Sequence, residues 1–101
     1  MNMDDICKAL GNKTRYNLVK SIKEHTIVHC CDCFKYYEHG VSVGDVVQFT
    51  GLAQSTVSQH LNVLEEAGIV RKEKRDLWSC YFLNEDVLES FLNQFKNDLL
   101  T

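Results

Sequence analysis

The sequence predicts a mostly α-helical fold that carries one small β-hairpin. Three observations predict it. Apolar side chains recur at helical spacing in several segments, residues that cap helices stand between those segments, and the period changes once, just after Gly68. A chain of 101 residues is expected to form a single domain, residues 1–101, burying roughly two-thirds of its unfolded surface in one core. A hydrophobic fraction of 45% excludes disorder as the main state, and no apolar run is long enough to span a bilayer. The acidic start, Met1-Asn2-Met3-Asp4-Asp5, lacks the basic and apolar regions of an export signal, so a cytoplasmic location is expected.

Met3, Ile6, Cys7 and Leu10 lie at i, i+3, i+4 and i+7, which places a first helix over 3–10 with Cys7 on its apolar face. Gly11 stops it. Asn12 caps the next helix, about Lys13 to Glu24, with Tyr16, Leu18, Val19 and Ile22 inward and the lysines outward. His25 to Gly40 shows no clean period and is dense in histidine, cysteine and aromatic residues. Ser42 caps a short helix carrying Val43, Val46, Val47 and Phe49, which ends at Thr50-Gly51. Leu52, Val57, Leu61 and Leu64 mark a fourth helix, and Gly68 stands where a left-handed residue closes it. Ile69 to Lys74 and Leu77 to Leu83 form two strands joined at Arg75-Asp76, where Asp76 tolerates a positive φ. The last helix, Asn84 to Leu100, bears Val87, Leu88, Phe91, Leu92, Phe95, Leu99 and Leu100, a stripe wide enough to favour a partner surface.

A net charge of −3 does not by itself favour a polyanion, because phosphates are neutralised by local cations. The signs are segregated, however. Residues 13–24 hold Lys13, Arg15, Lys20 and Lys23 against Glu24, residues 84–101 hold four acids against Lys96, and the hairpin tip carries Arg71, Lys72, Lys74 and Arg75. The two helices around Gly51 have the pattern of a helix-turn-helix. Gln54, Ser55, Thr56, Ser58, Gln59 and His60 fill the first turns of the second of them with uncharged hydrogen-bonding groups, where a solvated face would carry Lys and Glu. Such a helix suits a major groove: Gln can bond adenine bidentately, Ser and Thr reach bases or phosphates, and a Thr methyl can touch a thymine methyl. Lys72, Lys74 and Arg75 would then lie along the backbone or minor groove. The bland alternative is a helical hairpin on a small sheet with incidental polar residues. His60, on the polar side of the Val57–Leu61–Leu64 stripe, is read as a base or phosphate contact; Trp78 and Tyr81 are read as core and Cys80 as sheet packing.

Three pieces of the chain carry a family resemblance. They are Ala9-Leu10-Gly11-Asn12-Lys13-Thr14-Arg15, then Gln54 to Leu61 followed by Leu64 and Ala67-Gly68-Ile69-Val70, and the hairpin end with Trp78 and Tyr81-Phe82-Leu83. On these, Lys8 to Leu83 resembles the ArsR/SmtB family of winged helix-turn-helix repressors. The resemblance implies about five helices and a hairpin wing, a homodimer through the first and last helices, and two recognition helices set about one DNA turn apart. It also implies an inducer, often a metal ion, that releases DNA. Two familiar ligand sets are missing. Where the family carries Cys-x-Cys ahead of an acidic residue, Ser42 and Gly44 precede Asp45, and the last helix has Asp86 and Glu89 but no histidine.

The 25–40 segment is longer than the family's ordinary connection and holds Cys30, Cys31 and Cys33. Five cysteines, an odd count without an export signal, speak against disulfides. Three thiolates this close suit a thiophilic ion: an arsenite-like species in a trigonal site, or zinc with His29 or Cys7 as fourth ligand. Adjacent Cys30 and Cys31 require a loop for that. The cluster equally suits a redox switch activated by Lys35 or the histidines, or plain burial beside Phe34, Tyr36 and Tyr37. Cys7 by itself is expected in the core, or as a ligand swapped across a dimer. No cofactor is required. The sequence thus points to a homodimeric, sequence-specific DNA-binding repressor released by a thiophilic metal, metalloid or oxidant. The alternative is a zinc-stabilised winged-helix module that binds protein and no DNA; steep salt dependence distinguishes the first from the second. A thiol enzyme using Cys31 and His29 lacks a Gly-rich oxyanion loop and room for a cleft.

Overall fold

In a computed structural model, which describes residues 2–27, 40–75 and 78–101, five helices and one antiparallel hairpin follow one another. They are α1 (Met3–Leu10), α2 (Lys13–Glu24), α3 (Val43–Thr50), α4 (Gln54–Glu66), β1 (Val70–Arg75), β2 (Trp78–Leu83) and α5 (Glu85–Leu99). Local chemistry explains most of their ends. Asn2 and Asn12 accept, through their side-chain oxygens, the amides of Asp5 and Arg15 at 3.2 and 3.1 Å, capping α1 and α2. Ser42 and Asp45 form a reciprocal box: the Ser42 hydroxyl accepts from the Asp45 amide and the Asp45 carboxylate from the Ser42 amide, both at 3.0 Å. That box gives the fully buried Asp45 carboxylate one of its partners. Gly51 and Gly68 sit at φ 73° and 80°, the left-handed conformation that ends α3 and the α4 exit.

The core is built around α4. Val57, Leu61 and Leu64 are at most 1% exposed and meet Ile6 and Ala9 of α1, Leu18, Val19 and Ile22 of α2, Val46 of α3 and the strand residues Val70 and Tyr81. Each fully buried aliphatic side chain contributes on the order of 1.5–3 kcal/mol of transfer free energy. The hairpin pairs from Val70↔Leu83 to Arg75↔Trp78, so the connecting residues are 76 and 77 and not Arg75-Asp76; the backbone of Asp76 lies outside the described residues. Ile69 is fully buried; its amide bonds to Leu64 O at the α4 exit, and its carbonyl accepts from the Asn84 amide, which continues the Val70↔Leu83 register by one more pair. Val41 bridges to Tyr81 by two backbone hydrogen bonds of 2.9 and 2.7 Å, adding one rung to the hairpin. Gly40 lies beside it with no room for a side chain, since a Cβ there would overlap Cys80 Sγ and the Phe82 ring.

Two expectations fail for one geometric reason. Cys7 is exposed, not in the core, and Tyr16 is 56% exposed, not inward. In α1 the buried pair is Ile6 and Ala9, and the small Ala9 lets the helix sit close; the stripe axis runs between them and turns Cys7 away. In α2 the axis through Leu18, Val19 and Ile22 likewise leaves Tyr16 at its edge. Helix α5 has no buried residue: Val87, Leu88 and Phe91 pack partly on the core, whereas Leu92, Phe95, Leu99 and Leu100 remain exposed. Among the described residues, no helix is long and apolar enough to cross a membrane.

Candidate nucleic-acid interface

Helix α4 turns its apolar stripe inward, and that fixes what the other side presents. Gln54, Ser55, Ser58 and Gln59 are exposed; Thr56 and His60 are half-buried along the flank that meets α2. The turn that sets this rotation is Gly51-Leu52-Ala53, with Thr50 Oγ1 accepting the Leu52 amide at 3.2 Å. Leu52 packs against the core from the turn and precedes α4. Ala53 at the N-cap has no side-chain acceptor, so the first-turn amides of α4 are left for water or an anion.

The opposite flank of α4 faces the hairpin. Ser58, Gln59, Asn62 and Glu65 line a shallow groove with Lys72 and Tyr81 of the strands. Lys72 and Lys74 are exposed on the same strand face by alternation, and the Lys72 ammonium lies 5.9 Å from the Tyr81 ring centroid. Arg71 points the other way: its guanidinium carbon stands 4.7 Å over the Phe82 ring and its Nε 3.6 Å from Glu73 Oε1. Arg75 closes the ladder opposite Trp78. The structure thus brings Ser58 and Gln59 of α4 and Lys72 to one groove, which Gln54, Ser55, Thr56, His60 and Lys74 do not line.

His60 is tied to the first helices. Arg15 Nη1 lies 3.2 Å from His60 Nδ1, while Arg15 Nε and Nη2 donate to the carbonyls of Ala9 and Lys8 at 2.8 and 3.3 Å. Partial burial, and then the Arg15 charge, lower the His60 pKa below its ordinary value. Periodicity did not point to this contact. The signal available was a single arginine just inside the Asn12 cap, close to the C-terminal carbonyls of α1 where a cation is stabilised. A second contact missed from sequence is Asn84, whose side-chain amide donates to Gly68 O at 2.9 Å and locks the hairpin exit to the α4 exit.

Of the thiol candidates, Cys30, Cys31, Cys33 and His29 lie outside the described residues. Cys80 is buried beside Gly40, as expected for sheet packing, and Tyr81 is core. Among the described residues, no three His, Cys, Asp or Glu side chains are grouped to hold a metal ion.

Residues 41–72 match the model of a family described as "Bacterial regulatory protein, arsR family". The chain is 27% identical to the transcriptional repressor SdpR of Bacillus subtilis, covering 96% of this chain and 100% of that one. It is 34% identical over 76 residues to a protein assigned as the arsenical resistance operon repressor ArsR2 of Halobacterium salinarum, covering 75% of this chain and 54% of that one. Its fold matches the homodimeric winged helix-turn-helix DNA-binding domain Mb0332 of Mycobacterium bovis with a TM-score of 0.66 at 20% identity, over 97% of this chain and 81% of that one.

Proposed function

We propose that the chain is a member of the ArsR/SmtB family of winged helix-turn-helix transcription regulators, a homodimeric repressor that reads its operator with α4 and lets go when its thiols meet an effector. Its relatives regulate transcription by binding DNA and are not enzymes. The observation that carries the finer reading is the groove in which Ser58 and Gln59 stand beside Lys72. Gln54, Ser55, Ser58 and Gln59 are offered to base edges, Thr56 and His60 to bases or phosphates, and Lys72, Lys74 and Arg75 to the backbone. The exposed Leu92, Phe95 and Leu99 of α5 support a second copy as partner, as does the homodimeric relative from Mycobacterium bovis. The whole chain, 1–101, acts as one domain, in the cytoplasm.

Binding to a duplex selected by the protein from a random-sequence pool tests this. Affinity should fall steeply with rising salt as counterions are released. Gln59→Ala should cost roughly 1–3 kcal/mol against the selected duplex and relax its discrimination, whereas Lys74→Ala should weaken all duplexes about equally. Indiscriminate loss in both variants contradicts the division of labour; salt-insensitive or absent binding favours a protein-binding module instead.

The effector arm rests on the donor set. Cys30, Cys31 and Cys33 are soft ligands suited to a zinc or arsenite-like ion, with His29 or the exposed Cys7 available to complete it, and as thiolates they are also oxidisable. Cys30→Ser with Cys31→Ser should keep duplex binding and abolish release by zinc, arsenite or peroxide. Release that survives the double variant removes the cluster from the mechanism.

A further inference from the structure

Arg15 touches two other helices with one guanidinium. Nε and Nη2 take the Ala9 and Lys8 carbonyls at the end of α1, and Nη1 meets His60 Nδ1 on α4. The direction of that last bond is dictated by chemistry. A guanidinium has donors and no acceptor, so Nδ1 must accept and carries no proton. A neutral imidazole then holds its proton on Nε2, which leaves a single N–H donor on the ring. The ring is kept neutral by the same surroundings, since burial and the Arg15 charge both disfavour imidazolium. His60 also sits one turn beyond Thr56 and next to Gln59, on the polar half of α4.

We propose that Arg15 is a positioning residue for DNA readout: by claiming Nδ1, it makes His60 offer DNA one fixed Nε2–H donor and no acceptor. The inference rests on the DNA-binding reading of α4. The chemistry it selects is an acceptor atom on the duplex, either a phosphate oxygen or a base-edge acceptor: purine N7, guanine O6 or thymine O4. Without Arg15 the Nδ1–H tautomer, which has no Nε2–H donor, is open to the ring, and the donor is no longer fixed.

The test has a spectroscopic arm and a binding arm. In long-range proton–nitrogen NMR spectra of the DNA-free native protein, the His60 ring should show the Nε2–H tautomer at pH 7. In Arg15→Gln it should show an exchanging mixture. Gln at position 60 can place an amide donor near the Nε2 site and Asn near Nδ1. His60→Gln should therefore hold affinity for the pool-selected duplex within about threefold, and His60→Asn should lose about tenfold, the scale of one lost hydrogen bond. Arg15→Gln should cost about two- to threefold in the native background, the share of molecules that lose the Nε2–H donor, and nothing measurable in His60→Gln. Equal cost in both backgrounds, or an Nδ1–H ring in the native protein, overturns the proposal. Loss at one base pair identifies a base-edge acceptor; uniform loss over all duplexes identifies phosphate. Should Arg15→Gln not fold, the native spectrum and the Gln–Asn contrast still decide. If the pool yields no duplex, the DNA-binding reading has failed, whereas the tautomer measurement separately judges the role of Arg15.

Discussion

At the scale of single residues, burial converts several polar groups into structural parts. Asp45 matches the acidic position that follows the family's thiol pair, yet here its carboxylate closes the Ser42 box at the start of α3. The Ser-x-x-Asp spacing is a capping signature visible in the sequence. The Arg15–His60 contact is not, because 45 positions separate the partners. It has a pH consequence whose sign follows from its direction. A histidine with a lowered pKa favours the neutral form when folded, while the unfolded chain protonates near the ordinary value of 6.5. The stability it contributes is therefore complete above about pH 6.5 and is lost as pH falls through the lowered pKa. Urea unfolding between pH 7.5 and 5 should show a midpoint that drops on acidification, with a smaller drop in His60→Gln. An identical slope in the variant would mean that His60 is not the titrating group. Glu85, lowered by its hydrogen bond with and the charge of Lys23, is shared by both proteins, so the difference between them reports His60.

At the scale of elements, α2 and α3 were legible because capping and periodicity agree, whereas α4 and α5, which lack a side-chain cap, were legible from periodicity. Asn12, Ser42, Gly51 and Gly68 all stand at the boundaries where their chemistry is needed. What period counting misjudged was rotation. Whether a residue at the edge of a stripe is buried depends on the surface it meets, and α1 buries Ile6 and Ala9 while leaving Cys7 exposed. The hairpin turns one residue later than turn chemistry suggested, with Arg75 paired to Trp78. Its second edge depends on the approach of 40–41 to β2, which Gly40 permits. Gly40→Ala should destabilise the fold by about 1–3 kcal/mol through overpacking against Cys80 and Phe82. A chemical denaturation midpoint equal to that of the native protein would show that the strand edge yields freely.

At the scale of the whole molecule, α5 is the element left unfinished. Its first half packs against the subunit and its second half carries Leu92, Phe95 and Leu99 into solvent, an arrangement stabilised by burying that face on a second copy. Sedimentation should find a dimer at micromolar concentration. Leu92→Asp with Phe95→Asp should give a folded monomer with native helical content and sharply weakened duplex binding, since two half-sites must be engaged together. A native protein that sediments as a monomer would defeat the two-fold arrangement.

By itself, the sequence determined the order and nature of the elements, the turn glycines, the polar character of α4 and the basic hairpin, all properties set within a few residues of each other. Only the tertiary structure decided that Cys7 and Tyr16 face outward, that Asp45 is a buried cap, that Arg75 pairs with Trp78 and that Arg15 grips His60. Those outcomes depend on which surfaces meet, and contacts between distant segments leave no period along the chain.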